Sequence, residues 1–248
     1  MAVSVAAVIA REAIAPGIVR LTLCGLPGGA PGQFFMLHMD GDGAHILPRP
    51  ISLFDYDEKT GLTRFVFRVA GRGTELLSRK KPGDALTVTG PLGNGFPTEA
   101  VGSRAESNGL TVIGGGLGVA PLYALVKAKR AAEPSAPVRV YLGYSDKAFL
   151  KEEFEALGAQ VFADVGGYVT DLVDFTLPGA YCACGPEPML RAAAKKARAA
   201  NASLFVSLER RMGCGVGACF ACSVQTRAGN RRVCKNGPVF PAGEVLYE

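Results

Sequence analysis

The chain lacks an apolar run long enough to cross a bilayer and lacks a dense basic face. None of its uninterrupted apolar runs reaches the length of about eighteen residues that a transmembrane helix needs. The apolar stretch at residues 1–10 has no basic flank before Arg11, so it predicts a first strand and not a secretion signal. The net charge is only +5 and the basic residues are scattered, whereas nucleic-acid sites favour a basic patch. We therefore expect a soluble cytoplasmic protein that binds neither membrane nor nucleic acid.

Histidine is also scarce, with only His38 and His45 in the chain. Neither histidine has a second candidate ligand at metal-binding spacing, so the sequence predicts no histidine metal centre. No side chain stands out as a general base for an organic substrate. We therefore predict no catalytic residue in the acid–base sense and look for chemistry in bound cofactors.

The length and the residue patterns predict two domains and a small appendage, with a β plus α/β fold. Residues 1–98 hold short alternating strands separated by Pro-Gly turns, which predicts an antiparallel β-barrel. Residues 99–108 are small and polar and predict a linker. Residues 109–208 alternate strands with helices, including helices near 119–132 and 149–157, which predicts a Rossmann-like parallel sheet. Residues 209–248 form a cysteine-rich C-terminal subdomain.

Cysteine is the residue type with the most specific spacing. Cys214, Cys219, Cys222 and Cys234 follow the pattern C-x4-C-x2-C-x11-C. That pattern has the plant-type ferredoxin spacing, in which four thiolates hold a 2Fe-2S cluster. The glycines between the first cysteines suit a loop that wraps a cluster and directs backbone N–H groups at sulfur.

Zinc and disulfides are the alternatives for these cysteines. Structural zinc sites usually pair two short Cys-x2-4-Cys units, and only Cys219 and Cys222 form such a unit. The odd total of seven cysteines and the missing secretion signal disfavour a disulfide framework. A zinc-stabilised binding module without a redox role stays open as an alternative. Colour separates the two, because a protein with flavin and iron–sulfur is brown and a zinc protein is colourless.

A glycine-rich turn joins the strand predicted at residues 110–113 to the following helix. Its glycines are Gly114, Gly115, Gly116 and Gly118. A strand, a glycine turn and a helix start can hold a pyrophosphate through backbone N–H groups. Tight packing is the alternative use of such glycines, but the position between a buried strand and a helix favours a nucleotide site.

Three further features carry a family resemblance: the strand Arg49-Pro50-Ile51-Ser52, the turn from Gly114 to Pro121 and the turn Cys184-Gly185-Pro186. Together with the order of the two domains, they resemble the ferredoxin–NADP reductase superfamily. The resemblance implies an FAD-binding barrel in which Arg49 pairs with the flavin pyrophosphate and Ser52 lies near the isoalloxazine. The residues implied in flavin binding are Arg49, Pro50, Ile51 and Ser52 on one strand, and Gly71, Gly73 and Thr74 in a second segment.

The same resemblance extends to the second domain. It implies that the turn from Gly114 holds the pyrophosphate of a nicotinamide cofactor and that Cys184 and Gly185 line the nicotinamide pocket. Asp146 follows a predicted strand and offers a carboxylate for ribose hydroxyls, which favours NAD over NADP. Relatives often carry a longer acidic insertion where this chain has only residues 164–169.

Residues 207–222 resemble the electron-transfer subunits of type B dihydroorotate dehydrogenases, and this resemblance covers essentially the whole chain. It implies an oxidoreductase subunit of pyrimidine biosynthesis that carries electrons from the FMN of a catalytic subunit, by way of a 2Fe-2S cluster and FAD, to NAD. The implied assembly is a heterotetramer. The alternatives within this architecture are the flavin subunits of a sulfide dehydrogenase, a ferredoxin–NADP transhydrogenase or a hydrogenase.

Overall fold

The computed structural model describes residues 2–39, 47–97 and 109–247. His45 and the predicted linker at residues 99–108 lie outside these ranges. Within the described ranges, no helix combines the length and the apolar character that crossing a bilayer requires.

The first domain is a closed barrel, and its antiparallel β-barrel architecture is the one that the sequence predicts. Period-two alternation sends one face of each strand inward, where Phe35 and Phe65 meet edge to face with ring centroids 5.4 Å apart. The elements are β1 (Ala2–Ala15), β2 (Ile18–Cys24), β3 (Phe34–Leu37), β4 (Arg49–Asp57), β5 (Leu62–Arg68), α1 (Arg72–Ser78) and β6 (Ala85–Leu92). The strands close the barrel in the order β1-β2-β5-β4-β3-β6.

The second domain is a six-stranded sheet, and its strands lie side by side in the order β14 (Val239–Pro241), β11 (Leu204–Ser207), β10 (Ala180–Cys184), β7 (Leu110–Gly115), β8 (Val138–Tyr144) and β9 (Gln160–Val165). All its pairings are parallel except the one between β11 and β14. This confirms the predicted Rossmann-like arrangement. The elements are β7 (Leu110–Gly115), a 3-10 turn (Gly116–Val119), α2 (Pro121–Ala132), β8 (Val138–Tyr144), α3 (Lys151–Ala156), β9 (Gln160–Val165), a 3-10 turn (Val169–Asp171), β10 (Ala180–Cys184), α4 (Glu187–Ala199) and β11 (Leu204–Ser207).

Two predicted helices begin later than the sequence indicates. The helix expected from about residue 119 starts as α2 at Pro121, because the residues before it form the 3-10 turn. The helix expected at 149–157 is only Lys151–Ala156. Leu150 stands before it with φ 64°, a left-handed conformation that cannot continue a right-handed helix.

The C-terminal segment leaves the sheet after β11 and returns to it. It contains β12 (Ser223–Thr226), β13 (Gly229–Arg232), α5 (Val233–Asn236) and β14 (Val239–Pro241). The returning strand β14 pairs antiparallel with β11, with Phe240 opposite Val206. Residues 208–238, between β11 and β14, therefore form an insertion at one edge of the nucleotide sheet. The division after residue 208 stays a prediction.

Side chains from α2 fasten the second domain to the barrel. Asp55 is buried on β4, and its carboxylate accepts hydrogen bonds from Arg64 Nη1 at 2.7 Å and from Lys127 Nζ at 2.5 Å. Phe54 stacks on Tyr123 with ring centroids 4.5 Å apart. Because the carboxylate has a cation from each domain, this contact fixes α2 against β4 and shapes the cleft between the domains.

Candidate functional site

A cleft of about 690 Å³ lies where the barrel, the nucleotide domain and the start of the C-terminal segment meet. The predicted flavin strand, Arg49, Pro50, Ile51 and Ser52, forms one wall. Leu117 and Pro121, from the glycine-rich turn and α2, belong to the second wall, and residues 208–212 form the third. The lining is mostly apolar with a few charged groups, which suits a planar ring system carrying phosphates.

The two predicted flavin segments come together in the structure. A methyl group at Gly73 would overlap the guanidinium of Arg49, so the two segments are in direct contact. Arg49 Nη1 also donates to the carbonyl of Leu47 at 2.7 Å. Thr74 Oγ1 accepts hydrogen bonds from the N–H groups of Ala70 at 3.0 Å and Gly71 at 3.2 Å, and therefore holds the turn itself. These residues fit an FAD, and their individual roles stay predictions.

Glu209 is a cleft residue that the sequence did not assign to the site. Its side chain is accessible to water but lies inside the cleft, and desolvation by the surrounding protein raises the pKa of its carboxyl. Neighbouring Cys184 is buried at the end of β10. Burial raises the pKa of the Cys184 thiol, the charge of Glu209 raises it further, and the Ser207 hydroxyl opposes these effects. The sequence signal that could have identified Glu209 is its position just after the strand predicted at residues 204–208, because ligands of such sheets bind at the carboxyl ends of the strands.

The glycine-rich turn packs against the second predicted turn. A side chain at Gly118 would collide with the backbone of Cys184 and Gly185, and one at Gly115 would lie 2.6 Å from Met189 Sδ. Gly114 faces Val119 just as tightly, at 2.8 Å. Of the four predicted glycines, only Gly116 faces open space, with φ 55°.

The packing alternative for these glycines therefore has direct support, and it coexists with ligand binding. Close packing brings the turn after β7 beside the turn after β10, at the carboxyl edge where nucleotides bind. Asp146 lies at the same edge after β8, exposed, with its carboxylate 3.3 Å from Ser145 Oγ. Its role toward ribose, and that of Cys184 toward nicotinamide, stay predictions.

Two of the four cluster cysteines, which we call the inner pair, are built into the core. Cys222 and Cys234 are 2% and 3% exposed. Cys222 immediately precedes β12 and Cys234 is on α5, and the Cys234 N–H donates to Cys222 Sγ at 3.4 Å. Burial raises the pKa of Cys234 to about 12, and the neighbouring thiols of Cys222 and Cys214 raise it too.

The other two cysteines, the outer pair, lie on a loop nearer the surface. Cys219 is exposed and Cys214 is partly exposed. Burial alone would raise the pKa of Cys214, but donors on the same loop stabilise its thiolate and lower the pKa to about 6. The backbone donors are the N–H groups of Cys219 at 3.4 Å, Val216 at 3.4 Å and Ala218 at 3.2 Å.

This arrangement fits a binuclear cluster better than a single metal ion. In the part of the chain that the structure describes, no three Cys, His, Asp or Glu side chains gather closely enough to hold one ion. Side-chain hydrogen bonding instead couples the pKa of Cys214 to Cys219 and the pKa of Cys234 to Cys222, and the charge of Cys214 also reaches Cys234. Two pairs of thiolates are what a 2Fe-2S cluster takes, one pair for each iron.

The barrel supports the cluster loop through contacts that the sequence does not reveal. A methyl group at Gly215, whose φ is 70°, would lie 2.7 Å from Met36 Cγ, so the loop rests directly on β3. Asn94 N donates to the Gly237 carbonyl at 2.7 Å, which fastens the end of the barrel to the segment after α5. Arg232 Nη1 donates to the Gly217 carbonyl at 2.7 Å and braces the loop from the other side.

The family model of the iron–sulfur cluster binding domain of dihydroorotate dehydrogenase B matches residues 209–246. The chain is also 45% identical to the dihydroorotate dehydrogenase B (NAD(+)) electron transfer subunit of Bacillus caldolyticus, over 87% of this chain and 86% of that protein. The corresponding subunit of Geobacillus thermodenitrificans is 41% identical, with 96% of each chain covered.

Solved structures agree on the fold. The NADH-dependent reduced ferredoxin-NADP oxidoreductase, 28% identical, superposes with a TM-score of 0.80 and covers 98% of this chain and 90% of that chain. The ferredoxin reductase of carbazole 1,9a-dioxygenase shares the fold with a TM-score of 0.66 at 19% identity. From the identity and coverage of its sequence relatives, the chain belongs to the family of the electron transfer subunits of dihydroorotate dehydrogenase B.

Proposed function

We propose that this chain transfers electrons between the catalytic subunit of a dihydroorotate dehydrogenase and NAD, in pyrimidine biosynthesis. The family assignment supports the reaction, and the structural observation that carries it is the arrangement of the four thiols in two pairs on the segment that directly follows the cleft wall at residues 208–212. When bound, the 2Fe-2S cluster supplies one-electron transfer and FAD couples it to the two-electron chemistry of NAD.

Each part of the chain has a separate task in this proposal. Cys214, Cys219, Cys222 and Cys234 hold the cluster at the end of the cleft formed by residues 208–212. The Arg49 guanidinium binds the FAD pyrophosphate, and the apolar walls exclude water from the ring. The glycine turn and Asp146 bind NAD at the carboxyl edge of the sheet.

The partner is a catalytic subunit that contains FMN, and we propose a heterotetramer with two chains of each kind. A cytoplasmic location agrees with the seven cysteines, which are free thiols in the structure, because a reducing compartment disfavours disulfides. The direct test is an anaerobic pull-down of the tagged chain from its host, assayed for NAD reduction that depends on dihydroorotate. A brown complex with this activity supports the proposal.

A transhydrogenase subunit is the second candidate, favoured by the whole-chain likeness to the ferredoxin-NADP oxidoreductase structure. The same pull-down separates the two functions. If the complex is brown and oxidises NADH with a dye but does not react with dihydroorotate, the electron-transfer role is supported and the assignment of dihydroorotate as the substrate of the complex is wrong.

Replacing Arg49 with alanine tests the flavin site. The variant should lose most of its FAD on desalting, because a charge-assisted contact to phosphate contributes about 1.5–3 kcal/mol, or roughly ten- to a hundredfold in affinity. Arg79→Ala is the matched control, since Arg79 is an exposed arginine that pairs with Glu75 of α1. Flavin absorbance per chain is the measurement. Full retention in Arg49→Ala would show that Arg49 does not hold FAD.

A further inference from the structure

The outward face of β1 is apolar at four alternating positions. Val3, Val5, Ala7 and Ile9 point away from the barrel, while Val8 between them is buried inside. Val3, Val5 and Ile9 are 67%, 71% and 44% exposed. An antiparallel strand with one solvent face normally carries polar residues there. A row of exposed aliphatic side chains instead indicates a surface that another molecule covers.

The strand register places this row beside the cluster loop. Val3 pairs with Thr89 on β6, and Thr89 pairs with Met36 on β3, so the three side chains share the outer face of the barrel. Met36 is the residue on which Gly215 of the cluster loop rests. Neighbouring strands lie about 4.8 Å apart, and β6 separates β1 from β3. Val3 on β1 is therefore roughly 10 Å from Met36 on β3, on which the cluster loop rests.

The cluster loop exposes apolar side chains of its own. Val216 is 39% exposed and Phe220, between Cys219 and Cys222, is 61% exposed. Phe220 has φ 58°, an unusual backbone conformation for a bulky residue, and the Arg232 guanidinium lies 4.7 Å from its ring centroid. The loop therefore holds an aromatic ring out toward solvent in a fixed position.

The segment that carries the loop is basic along its length, and Arg210 near its start pairs with Glu187 of α4 at 3.0 Å. Residues 210–243 contain no Asp or Glu. Their basic residues are Arg210, Arg211, Arg227, Arg231, Arg232 and Lys235. A partner that complements this surface has an apolar centre and an acidic rim, because opposite charges across an interface steer association.

We propose that the outward face of β1 and the cluster loop form one continuous docking surface for the catalytic subunit. This rests on the proposed function, in which electrons enter from a separate subunit that has to reach the exposed side of the outer cysteine pair. A stable interface buries about 800 Å² on each partner, which is more than a short loop offers by itself. The adjacent β1 face supplies additional apolar area beside it.

The test compares Val5→Lys with Leu172→Lys, both in the full chain with its cofactors. Leu172 is also an exposed aliphatic residue, 51% exposed, but it follows the 3-10 turn Val169–Asp171 of the nucleotide domain. The probe is the purified catalytic subunit from the same host, and binding is measured by calorimetry. FAD content, the EPR spectrum of the reduced cluster and dye reduction by NADH check that each variant is intact.

Val5→Lys should raise the dissociation constant about tenfold or more, since it places an unpaired charge in an apolar contact, whereas Leu172→Lys should match the wild type. If Val5→Lys loses cofactor, Val5→Thr replaces it, and we expect a smaller rise of the dissociation constant in the same direction.

Unchanged binding in an intact Val5 variant would overturn the docking surface alone. If the wild-type chain binds no catalytic subunit, the proposed function fails first. Self-association of the wild type that Val5→Lys abolishes would make a second copy the occupant and also overturn the proposal.

Discussion

The two halves of the cysteine site are built in opposite ways. The inner pair, Cys222 and Cys234, is buried and stands on or beside regular elements that pack in the core. The outer pair, Cys214 and Cys219, lies on a loop held by its own N–H groups and by glycine contacts with the barrel. The comparison indicates that the inner half supplies rigidity and protection from water, while the outer half supplies access for an electron-transfer partner.

The largest effect should come from replacing one cysteine of each pair. Cys222→Ser and Cys219→Ser should both lose or destabilise the cluster, seen as a lost or altered EPR signal. Only Cys222→Ser should also destabilise the cluster-free chain, by about 1–3 kcal/mol, because it places a more polar group in the core. Denaturant unfolding of the chelated proteins measures this difference. Equal stability of the two variants would remove the distinction between the halves.

A smaller effect should follow from Gly215→Ala. This residue combines φ 70° with a close approach to Met36, whereas Gly229 has φ 88° and open space around it. Gly229→Ala is therefore a matched control for the backbone conformation. We expect Gly215→Ala to cost about 1–3 kcal/mol beyond the control, because the added methyl overpacks the contact with β3. Denaturant midpoints and iron content test this, and identical values for both variants would show that the barrel does not support the loop.

The smallest effect should come from Arg232→Ala. The change removes the hydrogen bond to the Gly217 carbonyl and the contact with Phe220, together about 1–2 kcal/mol of local stability. The cluster should transfer to a chelator several times faster, while global unfolding of the chelated chain changes little. Arg231→Ala changes the exposed neighbouring arginine and serves as the control for lost charge. A slower or unchanged rate in Arg232→Ala would contradict the bracing role.

The barrel, the nucleotide sheet and the cysteine segment could be predicted because each has a strong local signal. Residues 63–69 alternate apolar and polar side chains and predict a strand, which the structure has as β5 at Leu62–Arg68, and the strand predicted at residues 138–144 is β8. The cysteine spacing alone is enough to identify the four candidate ligands. Such patterns involve residues that are close in sequence, so they can be recognised without knowing the tertiary contacts.

The remaining features depend on contacts between distant segments. α5, which carries Cys234, has only four residues, and β14 has only three, so neither has a readable periodicity. The packing of Gly118 against Cys184 follows from β7 and β10 being neighbours in the sheet, an order that spacing along the chain does not give. Phosphate binding and tight packing also use the same residue type, so the glycines alone could not separate them.

The most direct test of the account follows the electrons through the cluster in the assembled complex. Complexes of the catalytic subunit with the wild-type chain and with Cys219→Ser are mixed anaerobically with dihydroorotate, and NADH formation is recorded alongside the EPR spectrum. We predict that the wild-type complex shows the reduced cluster and forms NADH. The variant complex should still oxidise dihydroorotate with an artificial acceptor but should form little NADH. NADH formation at the wild-type rate in a complex without the cluster would contradict the proposed route.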